Sequence, residues 1–470
     1  MTSPDRAVRR GRFDPSPEQI GFGPRFVTAV SLGSVLNPIN SSIIAIALVS
    51  IGQAFGVGTD TTAWLVSGLY LATAIGQPTM GKLADRLGPR RIYLVGLALV
   101  AIGGVLGFLG NSIWLLVVAR VVIGVGTSAA YPAAMAMVRR QSARLDRPTP
   151  GGVLGALAIA GQASMAIGPP LGGLLIAVGG WPWTFLVNLP LALVGLVFAL
   201  LWLPRDEPGF DHGQGAAWHA LDPPGLALFT AAMSTLLIFL MRPAVADLYL
   251  LGIAVVLLVV LVWWELRARL PFIDVRMLAR NRPLSVTYLR YAVTLLVTYG
   301  FIYGWTQWLE QAAGQTAAVT GGVLTAMFVV AVPLSALGSR GRQVLRPLVI
   351  GTVALVVGSC WLLLFDAHTP IWAFVGVSAV FGVSNGLNIV GNQAAMYGQA
   401  PADQIGTAAG LLRTAQYLGA ILSTSLISIS YGQRATDAGL HTLAAVLAAA
   451  SALLLVATVF DRGLRRDGTA

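Results

Sequence analysis

Apolar residues run along this chain in long unbroken blocks, separated by short polar breaks. The blocks cover residues 26–50, 62–80, 91–110, 113–137, 151–178 and 182–203, then 223–241 and 245–266. Six more follow, at 283–308, 319–338, 345–365, 370–396, 404–431 and 438–460. Most hold about 20 residues or more, enough for a helix to cross roughly 30 Å of hydrocarbon. Lipid offers no partner to a free backbone amide, so each block is predicted to be a helix rather than an open strand. The expected architecture is all-α and polytopic: two six-helix bundles with two helices inserted between them. Pro204 to Asp222 is polar, and Arg267 to Arg282 mixes Phe272, Ile273, Val275 and Met277 with arginines. That second stretch reads as an amphipathic piece lying on a membrane surface.

Composition agrees with a membrane protein. Of 470 residues, 56% are hydrophobic and 10% charged, and the mean hydropathy is +0.76; a soluble domain carries about 25% charged residues. The net charge of +11 raises the question of nucleic acid, and the placement of the cations answers it. If the helices alternate in direction, 25 of the 30 basic residues fall on one side, and only Arg242 and Arg434 fall on the other. Arg120, Arg290 and Arg413 lie inside blocks. This asymmetry follows the positive-inside rule, so both termini are expected in the cytoplasm of a cell with the chain in its inner membrane, and no nucleic-acid partner is needed. The boundaries predicted are a tail at 1–25, a first bundle at 26–203, a linker with the extra pair at 204–282, a second bundle at 283–461 and a tail at 462–470. The one cysteine, Cys360, excludes an intramolecular disulfide and is expected to be a small core residue.

Between the second and third blocks lies Gly81-Lys-Leu-Ala-Asp85-Arg86-Leu-Gly88-Pro-Arg90-Arg91. Gly81 and Gly88 allow close backbone approach, Pro89 stops a preceding helix, and five charged side chains fix the turn at a membrane surface. This hairpin resembles the signature of the major facilitator superfamily of transporters. The resemblance implies a gating role for Gly81, Asp85, Arg86, Gly88, Arg90 and Arg91, with Asp85 near the start of the block at 404–431 when the cytoplasmic side is closed. Two further motifs fit the same family. Ser164 to Gly173, with Gly168, Pro169, Gly172 and Gly173, resembles its antiporter motif, although serine stands where glycine is usual. Arg120-Val-Val-Ile-Gly124-Val-Gly126 resembles its intramembrane arginine motif, with Ile123 in place of a common glutamine. Within the chain, Gly338 to Pro347 stands where the hairpin would recur in a second half, without its acid, and Gly406 to Thr424 parallels the fifth block. Internal repeats of this kind suit two bundles that rock about a central site.

Asn40-Ser41-Ser42 to Leu48 resembles the first-helix pattern of the fourteen-helix drug:proton antiporters. That pattern usually begins with an aspartate, and an asparagine cannot carry a proton. Asn37 and Asn40 are expected to face the cavity. If protons are coupled, another acid must titrate, and Glu310 at the outer end of the block at 283–308 is the candidate. Arg120 and Arg413 make the interior positive, which favours neutral or anionic organic substrates over cations. Gln416 and Tyr417 share the Arg413 face, Tyr299 belongs to a stripe with Tyr288, Tyr291 and Tyr303, and Asn385, Asn388 and Asn392 recur at helical spacing as a further polar face expected to line the cavity. His212 and His219 with nearby acids match no zinc spacing, so no metal or other cofactor is expected. Taken together, these features predict a monomeric secondary transporter in a lipid bilayer that exports small organic molecules, with protons as the expected energy source because no G-x-x-x-x-G-K-[ST] loop is present. A facilitator or importer in the same fold is the alternative. An enzyme is disfavoured for want of converging catalytic groups, and a sensor for want of a receiving domain.

Overall fold

The computed structural model describes residues 21–146, 151–206, 222–241, 245–268, 271–273, 275–338, 343–400, 405–461 and 463–464. Helices stand at all fourteen predicted positions. The first six are α1 (Pro24–Phe55), α2 (Thr59–Leu87), α3 (Pro89–Phe108), α4 (Ile113–Arg144), α5 (Gly151–Gly179), and the sixth span, broken into α6 (Trp183–Leu186) and α7 (Asn188–Trp202). The inserted pair is α8 (Pro223–Met241) and α9 (Leu248–Glu265), followed by the short α10 (Val275–Arg280) within the amphipathic stretch. The last six are α11 (Arg282–Gln311), α12 (Ala317–Gly338), α13 (Leu345–Leu362), α14 (Ile371–Gln399), α15 (Ile405–Tyr431) and α16 (Asp437–Val459).

Among the described residues, nine helical spans are long and apolar enough to cross a membrane by themselves, and α5 and α8 contribute shorter apolar stretches. The three left over, α2, α11 and α15, are also the helices that meet at the centre. Their tyrosines, threonines and glutamines lower hydropathy because they line the seam rather than face lipid.

The packing repeats. In the first bundle α1 packs on α5, α2 and α3 on α4, and α3 on α7. In the second, α11 packs on α15, α12 and α13 on α14, and α13 on α16. Between the bundles, α5 meets α12 and α15 meets α2, again an exchange of equivalent helices. Glycine makes these approaches possible. A Cβ on Gly173 would stand 2.8 Å from the Ala317 carbonyl oxygen, and one on Gly321 would stand 2.5 Å from that of Pro169, so α5 and α12 each offer a glycine to the other's backbone. Gly168 and Gly172 of the same motif face Ser42 and Ile43 of α1.

The signature hairpin is a tight corner. α2 ends at Leu87, Gly88 takes φ +101°, and Pro89 begins α3. The Asp206 carboxylate, just past α7, accepts from the backbone amides of Arg90 at 3.2 Å and Arg91 at 3.0 Å, so an acid caps the positive end of α3. Arg90 in turn donates to the Ala199 and Leu200 carbonyls at the end of α7, 3.3 and 2.9 Å away. Gly81 faces Pro132 of α4. The Asp85 side chain and the approach to α15 at 401–404 lie outside the described residues, as do 339–342 of the Gly338 to Pro347 echo and the histidines of the linker.

One expectation changes. Cys360 is exposed on the outside of α13 rather than packed in the core. Periodicity alone could not tell a lipid-facing position from an interior one on so apolar a helix. Arg290 proves to be a structural anchor: it is 4% exposed, pairs with Asp461 at 2.7 Å, and donates to Asn392 at 3.0 Å and Thr287 at 2.7 Å. Asp461→Ala leaves this guanidinium buried and unpaired, so it is expected to cost about 3 to 5 kcal/mol. Thermal unfolding of the detergent-solubilised protein measures it, and Arg290→Met in the same chain should recover much of the loss.

Candidate functional site

The seam between the bundles begins at the end opposite the chain termini. There the amides of Thr59 and Asp60 donate to the carbonyls of Gln433 and Gly432, at 3.2 and 3.1 Å. Deeper in, Ser67 and Thr424 share a hydrogen bond of 2.5 Å, Thr306 donates to the Ala45 carbonyl at 3.0 Å, and Tyr303 to that of Ser41 at 3.0 Å. Tyr70 of α2 and Tyr303 of α11 join hydroxyls at 2.7 Å, and Gln77 donates to the Tyr417 hydroxyl at 2.9 Å.

Around Tyr70 the rings form a cluster drawn from three helices. Its centroid lies 5.3 Å from Tyr299, 6.4 Å from Tyr303 and 5.8 Å from Tyr417. Tyr299 and Tyr303 stack at 5.8 Å. The spacing of the α11 tyrosines and the place of Tyr417 on the Arg413 face were visible in the sequence; Tyr70 and Gln77, which complete the group from α2, were not. A single aromatic on a helix carries no sign of where it points until the helix has neighbours.

The two arginines flank this cluster. Arg120 is 2% exposed, seven residues into α4, about 10 Å from its start. Its Nε donates to the Leu65 carbonyl at 3.0 Å and its Nη1 to the Asn40 carbonyl at 3.4 Å, while Nη2 finds no partner among the described residues. Arg413 of α15 is half-buried, stands over the Tyr131 ring at 5.1 Å and donates to the Gln416 side chain at 3.2 Å. Gln416 in turn donates to the Tyr299 hydroxyl and accepts from that of Tyr291, each at 3.4 Å. Arg120, Arg413, Gln416 and Tyr299 therefore belong to one neighbourhood.

The asparagine side chains turn elsewhere. Asn40 is 4% exposed and donates to Asn188 at 2.6 Å and to the Leu36 carbonyl at 2.9 Å, so the expectation that it faces a cavity gives way to a bond within the first bundle. Asn188 sits where α6 breaks into α7, a junction the continuous hydropathy had hidden. Asn37 donates to Thr127 of α4 at 3.2 Å. Asn388 turns the other way from the seam: it donates to Ser384 at 2.9 Å, accepts from Thr352 of α13 at 3.5 Å, and lies against Gly351. Asn385 is 3% exposed and its Nδ2 has no partner among the described residues. Glu310 stands apart, in the last turn of α11 at the end away from the termini. Its Oε1 is buried without a partner, while nearby Trp308 donates to Asp437 at 2.9 Å.

Comparison with known proteins agrees with this architecture. The profile of the Major Facilitator Superfamily matches residues 30–424. An uncharacterized MFS-type transporter of Bacillus subtilis, YwoD, is 32% identical over 440 residues, covering 93% of this chain and 96% of that protein. The tetracenomycin C resistance and export protein of Streptomyces glaucescens is 30% identical over 430 residues, 87% of this chain and 76% of its own. Among solved structures, the xylose transporter XylE from E. coli, in a partially occluded inward open conformation, superposes with a TM-score of 0.60 at 14% identity, over 91% of this chain and 96% of that one. The repeated helix packing, the glycine contacts between bundles and the match along most of the sequence lead to one conclusion: this chain belongs to the Major Facilitator Superfamily and is a transmembrane transporter, not an enzyme.

Proposed function

We propose that the chain is a proton-coupled exporter of small neutral or anionic aromatic compounds, working by alternating access between bundles at 26–203 and 283–461. The observation that carries the reading is the tyrosine cluster at the seam, with Arg120 Nη2 unpartnered beside it. A guanidinium buried among carbonyls and rings, with no carboxylate bonded to it, is a receptor for an anion, and aromatic faces suit a flat ligand. The charge asymmetry along the sequence supports termini in the cytoplasm of a cell with the protein in its inner membrane. On that orientation the Thr59–Gly432 seal closes the outer side, as an inward-facing state requires. The likeness to a resistance and export protein supports the outward direction, and Glu310 is the proposed proton carrier in place of the first-helix aspartate.

Transport in proteoliposomes tests the reading. With a panel of cationic, neutral and anionic aromatics, flux against a gradient is expected for the neutral and anionic members and lost when the pH gradient is collapsed. Equal flux without the gradient would identify a facilitator instead. Arg120→Gln removes a charge-assisted hydrogen bond of about 1.5 to 3 kcal/mol, so the KM for an anionic substrate should rise at least about tenfold while that for its neutral analogue changes little. A second variant, Glu310→Gln, is expected to abolish proton-driven accumulation yet leave substrate exchange intact; retained accumulation would remove Glu310 from the mechanism.

A further inference from the structure

Away from the seam's tyrosines, at the end that carries the termini, the inserted pair meets the signature hairpin through a buried polar cluster. Phe229, Met233, Leu261 and Phe272 pack the pair together beside Leu71 and Ile75 of α2 and Leu418 of α15, so α8 covers the line where the bundles meet, with α9 packed on α8. Just beyond this apolar patch stand Asp222, which precedes α8, and Glu265, which ends α9.

Their surroundings differ sharply. Asp222 is 6% exposed and accepts three hydrogen bonds: from the Gly225 amide at 3.2 Å, the Trp264 indole at 2.8 Å and the Phe272 amide at 3.1 Å. It holds φ +51°, a left-handed conformation that a non-glycine residue adopts only when its surroundings enforce it. Glu265 is 1% exposed, and among the described residues neither carboxylate oxygen meets a donor in hydrogen-bond geometry, although the Phe272 and Ile273 amides lie nearby. A Cβ on Gly225 would stand 2.8 Å from Glu265 Oε1 and would also meet the Asp222 carboxylate, so both acids crowd the same bare glycine. Lys82, the single lysine of the chain, reaches in from α2. Its ammonium donates to the Pro271 carbonyl at 3.2 Å and lies 5.9 Å from the centre of the Phe272 ring.

We propose that Glu265, set against Asp222 and Lys82, is a proton-binding site that latches the inserted helix pair to the signature hairpin. Buried at the cluster, and with neither carboxylate oxygen in hydrogen-bond geometry with a donor among the described residues, Glu265 takes the proton from water at the terminal end. With Glu265 neutral, Lys82 rests on the Pro271 carbonyl and pins the end of α2 to the inserted pair. When Glu265 gives up its proton, a second carboxylate faces Lys82 and draws it off that carbonyl, moving the α2 end and the hairpin that follows it. The other charges nearby are accounted for: Arg86 lies one turn beyond Lys82, Arg267 stacks on Trp263 at 3.9 Å, and Arg276 of α10 donates to the Leu266 carbonyl. Arg269 and Asp274 lie outside the described residues. This site is separate from Glu310, at the opposite end, and does not depend on what is transported.

Infrared difference spectroscopy of the full chain in nanodiscs, titrated without substrate from mildly acidic to mildly alkaline pH, tests the site. The wild type is expected to lose a protonated-carboxyl band that Glu265→Gln lacks from the start and Glu310→Gln retains. Asp222→Asn, which removes the neighbouring negative charge, should move the midpoint down by about one pH unit, and Lys82→Met should move it up. The latch has its own readout in a Cys360→Ser background. The thiol-labelling rate of Leu83→Cys should change with pH at the same midpoint and become independent of pH once Glu265→Gln is added. An unchanged band in Glu265→Gln would overturn the proton site, and labelling that ignores pH in the wild type would overturn the latch.

Discussion

Lipid takes away the ordinary reason for helices to associate, because a leucine gains nothing by leaving one hydrocarbon surroundings for another. What remains is close backbone contact and hydrogen bonding, and the seam between the two bundles is built from both. Gly173 and Gly321 let α5 and α12 touch main chain to main chain. Ser67, Tyr70 and Gln77 bond α2 to partners on α15 and α11. Interactions of this kind are worth about 1 kcal/mol each. A seam made of several such bonds can be remade in a second arrangement without a large barrier, whereas a wide apolar interface in water could not. The same constraint explains which helices look least like membrane spans: α2, α11 and α15 carry the polar groups through which the halves meet.

Much of this was legible in the sequence, and the limit is physical. Apolar length gave the helices, and arginine placement gave an orientation to test. Gly88 followed by Pro89 marked the corner that the backbone takes with a positive φ. Helical spacing also brought Arg413, Gln416 and Tyr299 into view, since residues on one face of one helix reveal their company. Partners on different helices leave no such trace. Asn40 finds Asn188 across 148 positions of sequence, and Asn388 turns to Thr352 rather than to the seam. Both polar faces were read correctly as polar, and both spend their hydrogen bonds inside a bundle. An amide in hydrocarbon needs a partner wherever one stands, so its presence indicates burial near another polar group before it indicates a cavity.

Glu265 is instructive for the same reason. At the end of an apolar helix it reads as an ordinary surface acid marking the edge of the membrane. Only the return of the chain through Phe272, folded back over Asp222, closes it off from solvent. The feature that distinguishes it from Asp222 is hydrogen bonding: Asp222 accepts from Gly225 of α8, Trp264 of α9 and Phe272 of the loop, while Glu265 makes no such bond among the described residues.

The two buried cations make a final contrast. Arg290 has Asp461, and the pair belongs wholly to the second bundle, so its electrostatics are the same whichever way the bundles lean. Among the described residues Arg120 has only carbonyls, one from α1 and one from α2, with a nitrogen left over. A guanidinium at membrane depth costs at least about 2.5 kcal/mol, and two neutral acceptors offset that less well than an anion would. On the proposed reading the missing counter-ion is the cargo. A ligand that supplies it at the seam binds where both bundles contribute groups, so its affinity must differ between arrangements that hold those groups together and arrangements that part them. Such differential affinity is the condition for a ligand to shift a conformational equilibrium at all. An arginine already satisfied within one bundle, as Arg290 is, could not provide it.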